Sequence, residues 1–295
     1  PKDPEGGSRK DIGHTFVCGP TGSGKTVLIG FLIALLSGRG VTQVVFDKDR
    51  GLEILVRALG GEYAPVRMGE PTGFNPLQLP STPANYEFQK SFLRLLVRSG
   101  RPLSSAEQAD LDQALQGTLA LESGARRLSR LIEFLDPTRP DGMYARLAPW
   151  CASTGGDYAW VFDNETDVVA SRLQHQKLCG FDLTQFLDHE VLRAPINKYL
   201  LHLVRQLMDG RRLVCWMDEF QKALSDPDFQ EFGDDGPKTA RKLDAALVFV
   251  AQVPAEVAKS PIARTLIEQT ATKIFFPNTE ATADAYMDAF GLTER

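Results

Sequence analysis

The amino-acid sequence predicts an α/β fold, with a mostly parallel sheet and an inserted all-α subdomain. Strand signals alternate with helix signals up to about residue 83 and again after about Lys177, which is typical of parallel sheets. Between these regions, β-branched runs give way to helical periodicity. A glycine-rich loop joins the first predicted strand to the first predicted helix, as in P-loop nucleotide-binding proteins.

The first region begins with a short apolar strand and continues as alternating elements. Glycines end both helices, because glycine accepts the left-handed backbone that closes a helix. The predicted elements are the strand His14–Cys18, the helix Thr26–Ser37, the strand Gln43–Asp47, the helix Leu52–Leu59 and an extended crossing segment over Pro71–Pro83.

The middle region predicts consecutive helices. Phe88, Phe92 and Leu96 fall on one helical face, and Ser104 with Glu107 forms a capping-box signature that opens a further helix. Additional helices fit Leu128–Leu135 and Met143–Cys151. We therefore expect core segments over residues 1–83 and 161–295, with an all-α insertion over 84–160.

Strands resume in the last region, and a long helix lies between the first two of them. Pro195 is expected as the first residue of that helix, where its missing N–H is harmless. The predicted strands are Leu178–Leu183, Leu213–Met217, Ala246–Val250 and Lys273–Phe276.

Composition excludes several classes of protein. A net charge of −5 over 295 residues argues against a protein that coats nucleic acid. The four cysteines are scattered without metal-ligand spacing, which argues against a zinc site. Cys18, Cys179 and Cys215 fall inside predicted core strands, so we expect buried thiols in a reducing compartment. No apolar run is long enough to span a bilayer. The polar start PKDPEGGSRKD is linker-like and lacks methionine, so we expect a fragment of a longer protein.

The glycine-rich loop matches G-x-x-x-x-G-K-[ST] without a mismatch. Its glycines allow successive N–H groups to face phosphate oxygens, and the following helix adds its positive end. Lys25 is expected at the β- and γ-phosphates, and the Thr26 hydroxyl at Mg²⁺. The predicted nucleotide-binding residues are Gly19, Pro20, Thr21, Gly22, Ser23, Gly24, Lys25 and Thr26.

Two acids end the strand Leu213–Met217. We expect Asp218 to hold Mg²⁺ through its water shell and Glu219 to polarise the attacking water. Gln252 follows the next strand, which in P-loop ATPases with an added catalytic glutamate is inserted between the acidic strand and the P-loop strand. That position makes Gln252 a candidate γ-phosphate sensor.

Hydrolysis of a triphosphate also needs positive charge at the transition state, often from a neighbouring subunit. Arg241 and Arg264 are the candidates, with Arg241 favoured. The charged segment Asp47–Gly51 also follows a strand, and for it we favour a structural or interface role.

Several longer blocks occur in one order and resemble the C-terminal ATPase domain of the CagE/TrbE/VirB family of conjugation and type IV secretion ATPases. The resemblance spans nearly the whole chain. Its blocks are GHTFVCGPTGSGKT, FDKDRGLEILVRALGG, GFNPLQL, AWVFDN, GFDLTQFLD, WMDEFQKAL, KTARK, AQVPAEVAKSPIARTLIEQTATKIFFPN and FGLTER.

The resemblance implies a RecA-like motor that uses ATP and Mg²⁺ to energise pilus biogenesis and substrate transfer. By motif it assigns the phosphate and metal roles to Lys25, Thr26 and Asp218, and the catalytic roles to Glu219 and Gln252. Arg241 matches a family arginine near the acidic motif. The resemblance also implies a homo-hexamer in the full-length form and a bacterial cytoplasmic location on the inner membrane. Its partners would be inner-membrane channel and coupling proteins, while the isolated fragment could be a monomer.

Two alternatives stay open at the level of the sequence. A DNA-translocating ATPase of the FtsK/HerA type shares the core architecture. The net negative charge and the lack of a basic stripe argue against this alternative. A scaffold that binds ATP for assembly and scarcely hydrolyses it is the second, and Glu219 counts against it. The transferred substrate, DNA or protein, is undetermined.

Overall fold

A computed structural model describes residues 13–223, 226–253 and 266–278, together with residues 282, 286, 287 and 290. The chain forms two compact units. One contains the described residues up to Pro65 and from His175 onward, and the other spans Val66–Gln174.

The first unit is built on one parallel sheet, as predicted. The described residues contribute seven strands in the order β3-β4-β2-β5-β6-β1-β7, every pair parallel. The strands are β1 (His14–Cys18), β2 (Thr42–Asp47), β3 (Glu62–Pro65), β4 (Leu178–Asp182), β5 (Leu213–Met217), β6 (Ala245–Ala251) and β7 (Thr270–Phe275).

The edge strand β3 is an element that the sequence pattern missed. Its four residues, EYAP, include a glutamate and a proline, which are depleted in strands, and it pairs with β4 alone. An edge strand tolerates both residues because only one side joins the ladder.

Ten α-helices have both of their ends within the described residues, and those that the sequence predicted occur in the predicted order. They are α1 (Lys25–Ser37), α2 (Glu53–Ala58), α3 (Pro83–Leu96), α4 (Ser105–Leu119), α5 (Leu128–Leu131), α6 (Met143–Leu147), α7 (Ala159–Phe162), α8 (Val168–His175), α9 (Arg193–Leu207) and α10 (Pro227–Lys242). One expectation was wrong: α9 begins at Arg193, so Pro195 is its third residue and not its first. Proline is still accommodated there, because N–H groups in the first turn have no partner within the helix.

The strands β2, β4 and β5 lie in the buried core of the sheet. Every residue of these three strands is buried, as expected for parallel strands covered on both faces. Gln43 is a buried polar residue within β2, and its amide is satisfied. Its Nε2 donates to the Ile33 carbonyl oxygen at 3.1 Å, and its Oε1 accepts from the Trp216 Nε1–H at 3.1 Å. The bonds join α1, β2 and β5 inside the core.

The second unit is all-helical: residues 66–174, all described, contain no strand. The capping box of α4 is present, since Ser104 and Glu107 exchange backbone and side-chain hydrogen bonds. Asp163 is buried and accepts from the backbone N–H of Ser129 at 2.8 Å and of Ala152 at 2.7 Å. That carboxylate therefore fixes two neighbouring segments through hydrogen bonds to their backbones.

The observed helical unit is wider than the predicted insertion over 84–160. Segments near its two ends are joined by hydrogen bonds from polar residues of the sequence blocks GFNPLQL and AWVFDN. Asn75 Nδ2 donates to the carbonyl oxygens of Arg126 and Asn164, and Asn164 Nδ2 donates to the Phe74 carbonyl oxygen at 3.0 Å. These segments lack helical periodicity, so pattern alone placed them with the core. None of the described helices is long and apolar enough to cross a membrane.

His14 couples the start of β1 to β6 and α10. Its Nδ1 accepts from the Leu247 N–H at 3.1 Å, so Nε2 carries the proton and donates to the Pro237 carbonyl oxygen at 2.8 Å. Burial lowers the pKa of His14, and the nearby Arg241 lowers it further, although the bond to Pro237 opposes the shift. The ring is therefore neutral in the fold.

We predict that stability falls with acidification because of His14. Below about pH 6.5, the unfolded chain binds a proton at His14 that the folded chain does not bind. The free energy of unfolding therefore decreases as the pH falls toward the lower pKa of His14 in the folded state. Urea unfolding between about pH 7.5 and about pH 5.5 measures this slope. The His14→Gln variant should show a shallower slope. Equal slopes in the two proteins would contradict the prediction.

Candidate functional site

The predicted site residues follow strands whose carboxyl ends meet at one edge of the sheet. The strand β6 lies between β1 and β5, as the sequence argument expected, so the loops after these three strands are neighbours. In register, Cys18 at the end of β1 pairs with Ala251 of β6, and Met217 at the end of β5 pairs with Phe249. This edge is where ligands bind in open parallel sheets.

The glycine-rich loop adopts the conformation that its glycines permit. Gly22 and Gly24 have φ values of 78° and 100°, which side-chain-bearing residues rarely adopt. Gly19 is required for a different reason: a Cβ there would lie 2.5 Å from the Phe276 Cβ and 2.9 Å from the Ser23 Oγ. The loop is tied to the sheet edge by the Gly19 N–H, which donates to the Ala251 carbonyl oxygen at 3.2 Å.

The loop and the start of α1 fit a phosphate group. Gly24 is the N-cap of α1 and no side chain caps the helix there, so the first N–H groups of the helix are left for another acceptor such as a phosphate oxygen. The Ser23 Oγ is buried without a hydrogen-bond partner among the described residues. Lys25 is 8% exposed, and its Nζ donates to the carbonyl oxygens of Gly19 at 2.5 Å and Pro20 at 2.9 Å. The ammonium group is therefore held inside the loop.

Asp218 stands at the end of β5, beside the same loop. Its backbone N–H donates to the Phe46 carbonyl oxygen at 3.0 Å, which continues the β2–β5 ladder by one residue. The pKa of Asp218 is raised to about 7, chiefly by burial and in addition by the charges of Glu219 and Asp47, while the hydrogen bond from the Glu219 N–H and the charge of Lys25 oppose the shift. A divalent cation beside this carboxylate would favour its ionised form.

A cation site here would rely on few protein ligands. The described residues contain no group of three His, Cys, Asp or Glu side chains arranged around a metal. Mg²⁺ commonly takes one or two protein oxygens together with phosphates and waters. The Thr26 hydroxyl and the Asp218 carboxylate are oxygen donors of that kind, so the donor set fits Mg²⁺ bound with a nucleotide.

Gln252 joins the loop to the acidic pair. Its Nε2 donates to the Glu219 Oε1, and its Oε1 accepts from the Thr21 hydroxyl at 2.9 Å. Glu219 is 4% exposed and has a φ of 52°, in the left-handed region. Three residues predicted from separate parts of the chain are therefore hydrogen-bonded together. Their roles in catalysis stay predictions.

Asp47 lies near Asp218, but its carboxylate is engaged in hydrogen bonds that hold the fold. It is buried, and its Oδ2 accepts from the Leu52 N–H at 2.9 Å and from the Tyr63 hydroxyl at 2.7 Å. Burial is the main cause that raises the pKa of Asp47. These bonds fix the start of α2 and the edge strand β3.

Arg241 is not brought to the site within this chain. Its guanidinium donates to the Gln269 carbonyl oxygen at 3.2 Å and influences His14, the first residue of β1. That is the amino edge of the sheet, opposite the glycine-rich loop. A role for Arg241 in a neighbouring subunit stays a prediction, and Arg264 lies outside the described residues.

Sequence reasoning missed two residues that contact the predicted site residues or their neighbours. Phe276 packs against Gly19, and its N–H donates to the Cys18 carbonyl oxygen at 2.8 Å. Gln221 Nε2 donates to the Glu219 Oε2 at 2.7 Å. The Gln221 contact has a signal in retrospect: a glutamine stands two positions after Glu219, next to the buried Phe220.

Comparison with known proteins identifies the family. VirB4 of Bartonella quintana is 43% identical over 287 residues, which cover 97% of this chain and 36% of that protein. PtlC of Bordetella pertussis is 41% identical over 296 residues, 96% of this chain and 36% of that protein. The chain belongs to the VirB4 and PtlC family of type IV secretion proteins. It spans about a third of the length of these relatives, and no family model matches it.

Solved structures confirm the RecA-like P-loop fold. VirB4 of Thermoanaerobacter pseudethanolicus matches with a TM-score of 0.77 at 18% identity, covering 99% of this chain and 87% of that chain. The plasmid coupling protein TrwB, solved in complex with ADP and Mg²⁺, matches with a TM-score of 0.57 at 16% identity, covering 88% of this chain and 69% of that chain.

We predict that Gly19→Ala destabilises the VirB4-type core, because the added methyl group overlaps the Phe276 side chain and the Ser23 hydroxyl. Overpacking of this kind costs about 1–3 kcal/mol of unfolding free energy. The matched control is Gly38→Ala at the end of α1, where a Cβ meets atoms no closer than 3.6 Å. Urea unfolding compares the two variants. A Gly19→Ala protein as stable as the control would refute the steric argument.

Proposed function

We propose that this chain is an ATP-hydrolysing motor domain that energises pilus biogenesis and substrate transfer in a bacterial type IV secretion or conjugation system. The observation that carries the proposal is the hydrogen-bonded cluster of Thr21, Gln252 and Glu219, which joins the glycine-rich loop to a buried carboxylate. Family membership supports the biological setting, and the complex of TrwB with ADP and Mg²⁺ supports the ligand.

Each side chain has a distinct task in the proposed reaction. The loop N–H groups and the Lys25 ammonium bind the phosphates, and the start of α1 adds its dipole. Thr26 and Asp218 would hold Mg²⁺, which supplies neutralisation of phosphate charge when bound. Glu219 accepts a hydrogen bond from the attacking water and later its proton. Gln252 reports the γ-phosphate to Glu219, because its amide contacts both the loop and the carboxylate.

The proposed setting includes partners and a location. We infer a homo-hexamer for the full-length protein, peripheral on the cytoplasmic face of the inner membrane and in contact with channel and coupling proteins. A DNA translocase of the FtsK/HerA type is not favoured, since the family match is to type IV secretion proteins. The net charge of −5 also gives little support to a DNA-binding motor.

The direct test of hydrolysis is the Glu219→Gln variant. The amide keeps the shape of the side chain but cannot accept a proton, so turnover should fall by about 10²- to 10⁴-fold while ATP affinity is kept. Steady-state phosphate release and binding of a fluorescent ATP analogue measure the two quantities. Lys25→Ala is the comparison, because it should weaken binding itself. Unchanged turnover in Glu219→Gln would show that Glu219 is not the general base. A wild-type protein that binds ATP without hydrolysing it would favour the scaffold alternative.

The trans role of Arg241 can be tested by mixing variants of the full-length protein. Lys25→Ala subunits keep the arginine and Arg241→Ala subunits keep the loop, so an interface between the two kinds is complete if the arginine acts in trans. Random one-to-one mixing should then restore on the order of a quarter of the wild-type activity from two inactive proteins. No recovery in mixed hexamers would rule out action in trans.

A further inference from the structure

The carboxylate of Glu219 is held at both of its oxygens by amide groups. Gln252 donates to Oε1 from the end of β6, and Gln221 donates to Oε2 at 2.7 Å from the turn that follows Glu219. An ionised carboxylate only accepts hydrogen bonds, so the NH₂ group of each glutamine must face it. The two bonds together fix the position of the carboxylate and the plane in which it lies.

The two amides differ in what else they contact. The remaining oxygen of Gln252 accepts from the Thr21 hydroxyl, so Gln252 is attached to the phosphate-binding loop. The remaining oxygen of Gln221 is buried and has no hydrogen-bond partner among the described residues. Leaving a buried acceptor unpaired is costly, and such groups need an explanation. The bond to Glu219 is the one hydrogen bond shown for this amide that can offset that cost.

The turn that carries Gln221 is fixed by contacts that do not involve its side chain. Residues Phe220–Ala223 form a 3₁₀ turn in which the Lys222 N–H donates to the Glu219 carbonyl oxygen at 3.0 Å. Phe220 is buried, and its ring packs 5.2 Å from the Phe249 ring and 6.0 Å from the Phe16 ring. The backbone is thus anchored in the sheet core, and the Gln221 amide is not needed to hold the turn.

We propose that Gln221 is a positioning residue for the catalytic carboxylate, a role that rests on the proposed function of Glu219 as the base. Gln252 lies between Glu219 and the loop, so it is the partner that can exchange its bond when phosphates bind. Gln221 keeps hold of Oε2 throughout and leaves Oε1 as the oxygen that meets the attacking water. The Glu219 carboxylate is thus held by one amide that stays in place, Gln221, and by one that can exchange its hydrogen bond, Gln252.

The test is the Gln221→Met variant, which keeps the length of the side chain and removes its donor. Its kcat for ATP should fall about tenfold or more, part of the 10²–10⁴ that a general base contributes, while KM and the affinity for a fluorescent ATP analogue stay at the wild-type values. Lys222→Met is the matched control on the same turn. Lys222 pairs with Asp188 at 2.5 Å and does not contact the carboxylate, so its kcat should be unchanged.

A second readout needs no nucleotide and no turnover. The side-chain amide resonances of Gln221 and Gln252 in ¹⁵N–¹H spectra should show slow hydrogen exchange, because both donate to a buried carboxylate. Gln221→Met identifies the first resonance by its loss, and Gln252→Met identifies the second. Glu219→Ala should shift both resonances and speed their exchange. A Gln221 resonance that Glu219→Ala leaves in place would overturn the inference.

The two proposals fail separately. If Glu219→Gln abolishes turnover but Gln221→Met keeps the wild-type kcat, the positioning role is wrong and Glu219 remains the base. If Glu219→Gln keeps turnover, the base assignment is wrong, whatever Gln221→Met does. A drop in kcat that Lys222→Met reproduces would show that the turn, and not the amide, matters. Thermal unfolding of both variants confirms that each is folded.

Discussion

The insertion of β6 between β1 and β5 is the constraint on which the site depends. It places the end of β6 between the phosphate-binding loop and the acidic pair, so one amide, Gln252, can contact both. The hydrogen-bond ladders fix this spacing: Cys18 pairs with Ala251, and Met217 pairs with Phe249. A shift of one residue in either ladder would turn the side chains after β6 to the other face of the sheet. The chemistry therefore rests on parallel register, and burial of nearly every residue of β1, β5 and β6 favours that register.

Much of this arrangement could be predicted because strand ends are visible in the sequence. The bounds of β1 and β5 were predicted as observed, since each is an apolar run bounded by polar or glycine residues. The order of β5, β6 and β1 followed from the class of protein that the P-loop and the Asp218–Glu219 pair indicate. Gln221 and Phe276 could not be predicted, because their contacts depend on how a turn and a loop fold in three dimensions. The edge strand β3 was missed for a related reason: four residues that contain a proline carry no periodicity.

The helical unit shows that recurring sequence blocks need not be catalytic. GFNPLQL and AWVFDN supported the family resemblance, yet their polar residues bind backbone groups within this unit. Asn75 and Asn164 cross-link its two ends, and Asp163 holds the backbone of Ser129 and Ala152. A buried asparagine that satisfies two carbonyl oxygens is hard to replace, since another side chain would leave them unpaired. These hydrogen bonds give the polar residues of both blocks a structural role.

The turn after β5 concentrates the irregular features of the core. Glu219 is a buried acid in the left-handed region, which costs about 1–3 kcal/mol in a residue with a side chain. Beside it, the Asp218 carboxyl has its pKa raised by burial, and a Gln221 oxygen is buried without a partner among the described residues. A sequence selected for stability alone would relieve each of these. They persist together because Phe220 and the β5 ladder hold the turn in place, and because the strained backbone points the Glu219 carboxylate at Gln252. The strained backbone of this turn therefore accompanies the hydrogen bond through which Gln252 connects Glu219 to the glycine-rich loop.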